Sequence, residues 1–292
     1  MSVGVVRLAR VSRRVRLASV NVNGIRAAVR KGMLEWLDAA DVDILTLQEV
    51  RATRDELLAA LPGWQIENDE AVAKGRAGVA VAARVGALDT RRGLGDDEGP
   101  DATGRWIEAD YDIDGQAITV VSAYVPTGEA DTPRQEAKWV FLDAMERRLG
   151  ELSGAPFAVI TGDLNVGHRE LDIRNWRGNV KKSGFLPRER AYFDRWLGEA
   201  DAEITGVDGS VGRGLGWVDI GRAAAGEVDG PYSWWTMRGR AFDNDTGWRI
   251  DYQLATPPLA AIASDYHVVR APSWDTRWSD HAPVVADYHF GR

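Results

Sequence analysis

Residues 157–165 read FAVITGDLN, and the reading of that stretch decides the fold. Residues 157–161 form a short apolar run between Pro156 and Gly162, which favours a strand buried on both faces over a helix. Side chains two apart on an extended segment point the same way. Asp163 and Asn165 therefore project a carboxylate and a carboxamide together from the tip, and Gly162 lets a neighbouring backbone approach closely. The plainer reading of the last four residues is a turn, for which Gly, Asp and Asn are common.

Working outward, other segments end in the same manner. The alternation in RLASVNVNG (16–24) predicts a strand that ends near Asn21 and Asn23, followed by a helix containing Trp36. VDILTLQEV (42–50) is an apolar run closing on Gln48 and Glu49. Residues 77–83 and the pair 106–111 and 117–124, joined through Asp114-Gly115, continue a β-rich pattern; the last of these ends SAYVP, with Tyr124 before Pro126. A strand over 249–255 carries Asp251 near its start, and SDHAP (279–283) places Asp280 and His281 before the strand VVADYHF. Taken singly, each of these residues is a cap, a turn residue, a solvated acid or a buried phenol.

Between the strands, TPRQ (132–135) reads as a capping box with proline at the first helical position, opening a helix to 149 that Gly150 stops. Trp139, Leu142, Met145 and Leu149 fall near one face of it. Residues 185–198 predict a second helix opened at Pro187, and 199–216, rich in Gly and Asp without a period, read as a surface loop. Residues 168–182 (HRELDIRNWRGNVKK) are polar and locally basic, with Arg169, Arg174, Arg177, Lys181 and Lys182 around Trp176. Such a run is usually a solvated face, but here it directly follows the GDLN tip.

A chain of 292 residues that is 45% hydrophobic buries a large core. It has no cysteine, which excludes disulfides and thiolate metal sites and fits a reducing compartment. No apolar run is long enough to span a bilayer. A net charge of −8 argues against nucleic-acid binding by bulk charge, though not against a local basic face. Most of the 12 tryptophans are expected in the core. The first 16 residues carry Arg7, Arg10, Arg13, Arg14 and Arg16 and no acid; residues 1–14 read as a flexible extension, and 15–292 as one domain.

Successive strand ends thus offer Asn21, Glu49, Tyr124, Asp163, Asn165, Asp251, Asp280 and His281. Hard oxygen donors without sulfur suit Mg²⁺, with Mn²⁺ as the alternative. In this order NVNGIRA, LQEVR, AYVP, GDLNV, GWRIDY and SDHAP closely resemble the exonuclease III type of apurinic/apyrimidinic (AP) endonuclease, within the endonuclease/exonuclease/phosphatase superfamily. The resemblance runs from about residue 15 to 290. GDLN and SDH recur across that superfamily; the segments FLPRERAYFDRWL and SWW…GWRID point to its DNA-repair branch. The resemblance implies a four-layer α/β sandwich of two packed mixed β-sheets flanked by helices, with the active site at one end.

The resemblance also implies roles. Glu49 is then the principal metal ligand, with Asn21 beside it and Asp280 completing the metal environment. Asp163 positions or deprotonates the attacking water, Asn165 orients it or binds phosphate, Tyr124 donates to the phosphate, and His281, paired to Asp251, contacts a phosphate oxygen. Trp234, Trp248 and Ile250 line a pocket for a flipped-out abasic sugar, and Arg174, Arg177, Lys181 and Lys182 contact duplex DNA. The implied activity is metal-dependent incision of duplex DNA 5′ to abasic sites, leaving a 3′-hydroxyl, with cleaning of blocked 3′ ends and 3′–5′ exonuclease action. The expected setting is a cytoplasmic monomer, nucleoid-associated in a bacterium, with no membrane partner. The alternatives are a phosphatase or phosphodiesterase of the same superfamily acting on other phosphoesters, or a non-catalytic DNA-binding scaffold. The 199–216 loop and the start before Val15 are longer than the family pattern.

Overall fold

The computed structural model describes residues 13–95 and 103–291. The strands of its first half are β1 (Arg13–Asn21), β2 (Ile44–Gln48), β3 (Gln65–Asp69), β4 (Val79–Ala83), β5 (Asp89–Arg92), β6 (Trp106–Ile113) and β7 (Gln116–Tyr124). Those of its second half are β8 (Ala158–Asp163), β9 (Glu203–Thr205), β10 (Val211–Arg213), β11 (Val218–Asp219), β12 (Asp251–Ala255), β13 (Ala263–Val268) and β14 (Val284–Phe290). Twelve of them form two six-stranded mixed sheets, β13-β14-β1-β2-β4-β3 and β11-β12-β8-β7-β6-β5, and β9 and β10 pair separately.

Alternation along each strand builds the layers. Val159 of β8 joins Leu17, Ile44, Val81, Val120 and Ala286 in a core shared by both sheets. Its neighbours Ala158 and Ile160 face the other way, onto Phe141, Leu142, Tyr192 and Phe193 of α4 (Pro133–Leu152) and α5 (Pro187–Leu197). On the first sheet Ala18, Val20, Leu45 and Leu47 pack outward against α1 (Ile25–Arg30), α2 (Met33–Ala40) and α3 (Arg54–Ala60). The result is helix, sheet, sheet, helix, the four layers expected.

Local differences from the sequence reading have physical causes. Pairing in β1 begins at Arg13, which lies opposite Phe290, so the extension proposed for 1–14 loses its last two residues to the sheet; the rest of it lies outside the described residues. Arg14 reaches Asp287 at 3.7 Å and Arg13 reaches Asp114 at 3.5 Å, which fixes both side chains. Thr132 caps α4 through Arg134 N, not through a reciprocal box, because the amide of Gln135 is drawn to Glu189 at 3.2 Å. Gly150 does not stop that helix: Leu149 and Leu152 are both buried, and the apolar stripe carries the helix one more turn at a cost of ~1 kcal/mol for a helical glycine. The 199–216 segment holds the β9–β10 hairpin and is not a structureless loop. As expected, Asp114 and Gly115 form the two-residue turn of β6–β7, both at positive φ.

Among the described residues, no helix is long and apolar enough to cross a membrane.

Candidate active site

The seam between the sheets changes character along its length. Its middle is a hydroxyl and amide layer: Thr46 and Thr161 meet across the sheets at 2.7 Å, Gln48 donates to Ser122 at 3.0 Å, and Gln253 donates to the carbonyls of Leu17 and Val284. One step further along the same faces stand Asn21, Asp163, Tyr124 and Asp251. Register aligns the last three, since Asp163 lies opposite Tyr124 on one side and Asp251 on the other. A Cβ at Gly162 would lie 2.0 Å from the Ala123 carbonyl, so only glycine lets β7 and β8 close at this point. Both readings of GDLN are realised: β8 runs through Asp163, and the Asn165 N–H then closes a turn on Asp163 Oδ1 at 3.0 Å.

The side chains interlock. Asn21 Nδ2 donates to Glu49 Oε1 and to Asp163 Oδ2, both at 2.9 Å, while its Oδ1 accepts from Asn23 N. Tyr124 OH donates to Glu49 Oε1 at 2.8 Å. Asn165 Nδ2 donates to the Val125 carbonyl and to Asp163 Oδ2. His281 Nδ1 sits 2.9 Å from Asp251 Oδ2, and its Nε2 is 3.7 Å from Asp163 Oδ2. Asp280 is held between Asn23 Nδ2 at 2.9 Å and Trp234 Nε1 at 3.1 Å. Glu49, Asn165 and Asn23 all lie in the left-handed backbone region, which costs non-glycine residues energy and concentrates where function over-determines geometry.

Burial and charge set the protonation states. For His281, burial disfavours the cation, but Asp251 and Asp163 outweigh it and raise its pKa, so the imidazolium persists at neutral pH. Burial also pushes the Asp163 carboxyl up; the His281 cation opposes this, and Asp251 reinforces it. Burial and the charge of Glu49 raise the Tyr124 phenol, which stays a donor. Asp280 is lowered: burial opposes ionisation, and His281 with its two donors prevails.

Asp163, Asp251 and His281 bring ligand atoms within 4.8 Å of one another. His281 lies between the two carboxylates, 2.9 Å from Asp251 and 3.7 Å from Asp163, so the three also form an ion-paired triad. Glu49 offers a further carboxylate at the rim of this cluster. The Arg51 guanidinium contacts its Oε2, so the outer face of this carboxylate already draws a positive charge. Asn21 turns its N–H groups toward the acids and keeps its oxygen on Asn23, and so bridges Glu49 and Asp163.

Trp234 and Trp248 are half-buried and meet edge to face at 5.9 Å, with Trp234 also 6.4 Å from His281. Neither belongs to a core cluster, and Ile250 beside them is buried. The basic segment divides. Arg169 pairs with Glu227 and Arg174 with Asp229, whereas Arg177 stacks on Trp176 and is exposed, as are Lys181 and Lys182. Sequence reasoning passed over Arg51, Ser279, which donates to the Asn21 carbonyl at 2.7 Å, and Arg105, stacked on the Tyr124 ring at 4.7 Å. It also left Asn23 out of the site. Arg51 and Ser279 lie inside LQEVR and SDHAP; nothing local marks Arg105.

The chain is 32% identical over 271 residues to an exodeoxyribonuclease of Bacillus subtilis, covering 92% of this chain and 98% of that protein. Among solved structures, an AP endonuclease from Archaeoglobus fulgidus superposes with a TM-score of 0.75 at 27% identity, over 94% of this chain and 99% of that one. A 3′–5′ exonuclease from Neisseria meningitidis does so with a TM-score of 0.77 at 29% identity, again over 94% and 99%. The sequence pattern of the endonuclease/exonuclease/phosphatase family matches residues 18–281. That span opens in β1 ahead of Asn21 and closes on His281, taking in every strand tip of the cluster: the chain belongs to the endonuclease/exonuclease/phosphatase family.

Proposed function

We propose that the chain is a Mg²⁺-dependent DNA-repair nuclease that incises duplex DNA 5′ to abasic sites and trims blocked 3′ ends. The observation that carries this reading is the convergence of a histidine cation, a phenol donor and a buried carboxylate on one point beside Glu49. In-line hydrolysis of a phosphodiester needs an activated water and positive or donor groups on the phosphoryl oxygens. Asp163 accepts the proton of the water, a role favoured for it over His281 because the imidazole lies between two carboxylates that favour its protonated form. Asn165 and Asn21 fix the orientation of that carboxylate. His281, steadied by Asp251, and Tyr124 donate to the phosphoryl oxygens. The water oxygen forms its bond to phosphorus as the bond to the 3′ oxygen breaks; that oxygen leaves with the bonding pair and takes a proton from solvent water to become the 3′-hydroxyl. Glu49, with Asn21 and Asp280 nearby, would hold Mg²⁺ or Mn²⁺, which when bound would supply positive charge to the phosphate and the leaving oxygen.

Trp234, Trp248 and Ile250 receive the abasic sugar, since a nucleotide without its base is cheap to extrude and fits where one with a base would clash. Arg177, Lys181 and Lys182 meet duplex phosphates, with Arg174 contributing less because Asp229 already holds it. The working form is a monomer, and the cysteine-free chain suits the cytoplasm. The direct test is cleavage of an abasic-site duplex with and without a chelator. Incision 5′ to the lesion, abolished by chelation and restored by Mg²⁺, is expected; binding without cutting puts the scaffold reading ahead. Trp248→Ala should melt within a few degrees of wild type yet lose abasic-to-intact discrimination, and a large thermal loss with an unchanged ratio removes the pocket assignment.

A further inference from the structure

Lys138 carries a wholly buried ammonium, which the mechanism above does not use. Its Nζ lies 2.7 Å from Glu189 Oε1, whose carboxylate is also fully buried. Nζ also donates to the Asn165 carbonyl at 2.9 Å and to the Thr127 carbonyl at 3.3 Å. Glu189 in turn accepts from Gln135 Nε2 at 3.2 Å, Ser183 Oγ at 3.1 Å and Leu186 N at 2.9 Å.

Burying two charges is costly, and an apolar pair of the same volume often holds helices together as well or better. The packing of α4 on α5 does not need it, because Phe141, Leu142, Tyr192 and Phe193 already supply an apolar contact there. What the ion pair adds is reach. Thr127 lies three residues beyond Tyr124. Asn165 is in the left-handed region with its side chain on Asp163. Ser183 precedes Gly184, where φ is +92° and a Cβ would lie 2.8 Å from the Trp248 ring, so the turn seats directly on that tryptophan. Besides the start of α5 at Leu186, the segments gripped by the pair are thus each attached to one part of the site: Thr127 to the phenol, Asn165 to the Asp163–Asn165 unit, and Ser183 to the pocket wall.

We propose that Lys138 and Glu189 form a positioning pair for hydrolysis, with Lys138 clamping the Asn165 carbonyl and so fixing the Asp163–Asn165 unit relative to Tyr124 and Trp248. This rests on the catalytic reading of Asp163 and Asn165. A misplacement of about 1 Å at a reacting centre can cost roughly 10²-fold in rate, and the clamp acts on that scale.

The test is the double variant Lys138→Met/Glu189→Leu, which removes both charges and keeps side-chain bulk. Its melting temperature, and kcat and KM on an abasic-site duplex in saturating Mg²⁺, are compared with wild type. The expected result is a folded protein with a lowered melting temperature, because the Asn165 carbonyl and Leu186 N lose their partners, with KM within about twofold and kcat, measured well below the melting range, lower by about 10- to 100-fold. Unchanged kcat in a folded variant overturns the proposal, as does a KM that worsens in step with kcat, which marks general scaffolding. Should the double variant not fold, the isosteric Glu189→Gln decides: it leaves Lys138 without its counter-charge and lowers the melting temperature, and kcat reduced severalfold well below the melting range with KM within about twofold supports the clamp, whereas wild-type kcat refutes it. A wild type that does not cut abasic duplex removes the functional reading itself, an outcome distinct from a cutting wild type matched by its variant.

Discussion

The two ends of the inter-sheet seam are made by the same strands and do opposite work. At one end Val15, Ile113, Ile118, Tyr288 and Phe290 are almost fully buried, and Phe157 meets Phe290 edge to face at 5.4 Å. At the other, Asn21, Asp163, Asp251 and His281 are just as buried but polar or charged. The first end gains from each apolar group it removes from water. The second holds carboxylates and a cation in a low-dielectric site, where each costs desolvation unless partnered and where electrostatic effects on a substrate are strongest. The amide and hydroxyl layer of Thr46, Gln48, Ser122, Thr161 and Gln253 joins the two, giving polar partners before the charges begin. Stability and chemistry are thus separated along one strand direction.

The largest effect is expected at the polar end. Glu49→Ala should lower turnover by several orders of magnitude without unfolding the protein, and excess Mg²⁺ should recover part of the loss; kinetics across a Mg²⁺ titration measure both. An unresponsive variant would move the metal away from Glu49.

The opposite end should behave in reverse. Ile118→Ala should cost about 2–5 kcal/mol of stability by leaving a cavity, while kcat well below the melting range stays at the wild-type value. Urea unfolding paired with a rate measurement checks this, and a parallel loss of kcat would break the separation.

A smaller effect lies on the flank, where buried charges do serve the fold. Arg249, between Trp248 and Ile250, is fully buried and bound to Asp172 at 2.7 Å and to Asp219 at 2.8 Å. Burial opposes ionisation of Asp172, but Arg249 outweighs it and holds its pKa at about 2, below the ordinary 3.8. A depressed folded-state pKa stabilises at pH above the unfolded value and loses that contribution as pH falls. The difference corresponds to about 2 kcal/mol. Urea denaturation of wild type and Asp172→Asn should show a gap that is full at pH 6 and shrinks from pH 4 toward pH 2. A gap independent of pH would mean that the charge of Asp172 is not what holds Arg249.

The smallest effect concerns binding. Charge reversal at Arg177, Lys181 or Lys182 should each reduce the salt slope of duplex binding by about one, and reversal at Arg174 by less, because Asp229 already neutralises it. Four unchanged slopes would make this run a solvated face.

Much of the polar end was legible in sequence because it is built from strand tips. A period of two and a terminating Gly or Pro place Asp163, Tyr124 and Asp251 without any tertiary knowledge. What alternation cannot show is which tips meet. Asn23, at a positive φ, turns back to Asp280, which lies far along the chain, and Arg105 reaches Tyr124 only because β6 pairs with β7. Nothing in the sequence marks Lys138; only the packing of α4 on α5 over the 183–184 turn makes it interior. Gly150 misled for a similar reason, since burial of Leu149 and Leu152 overrides its local preference.

The most direct test of the separation is Asp163→Asn, measured for single-turnover cleavage of abasic duplex and for melting temperature at pH 8 without metal. Both Asp163 oxygens accept from Asn21 or Asn165 and one faces the His281 cation, so the melting temperature serves to show that the variant is folded. The expected result is a cleavage rate lower by several orders of magnitude, not rescued by added metal, in a variant that stays folded at the assay temperature. Near-normal cleavage by the folded variant would contradict the account.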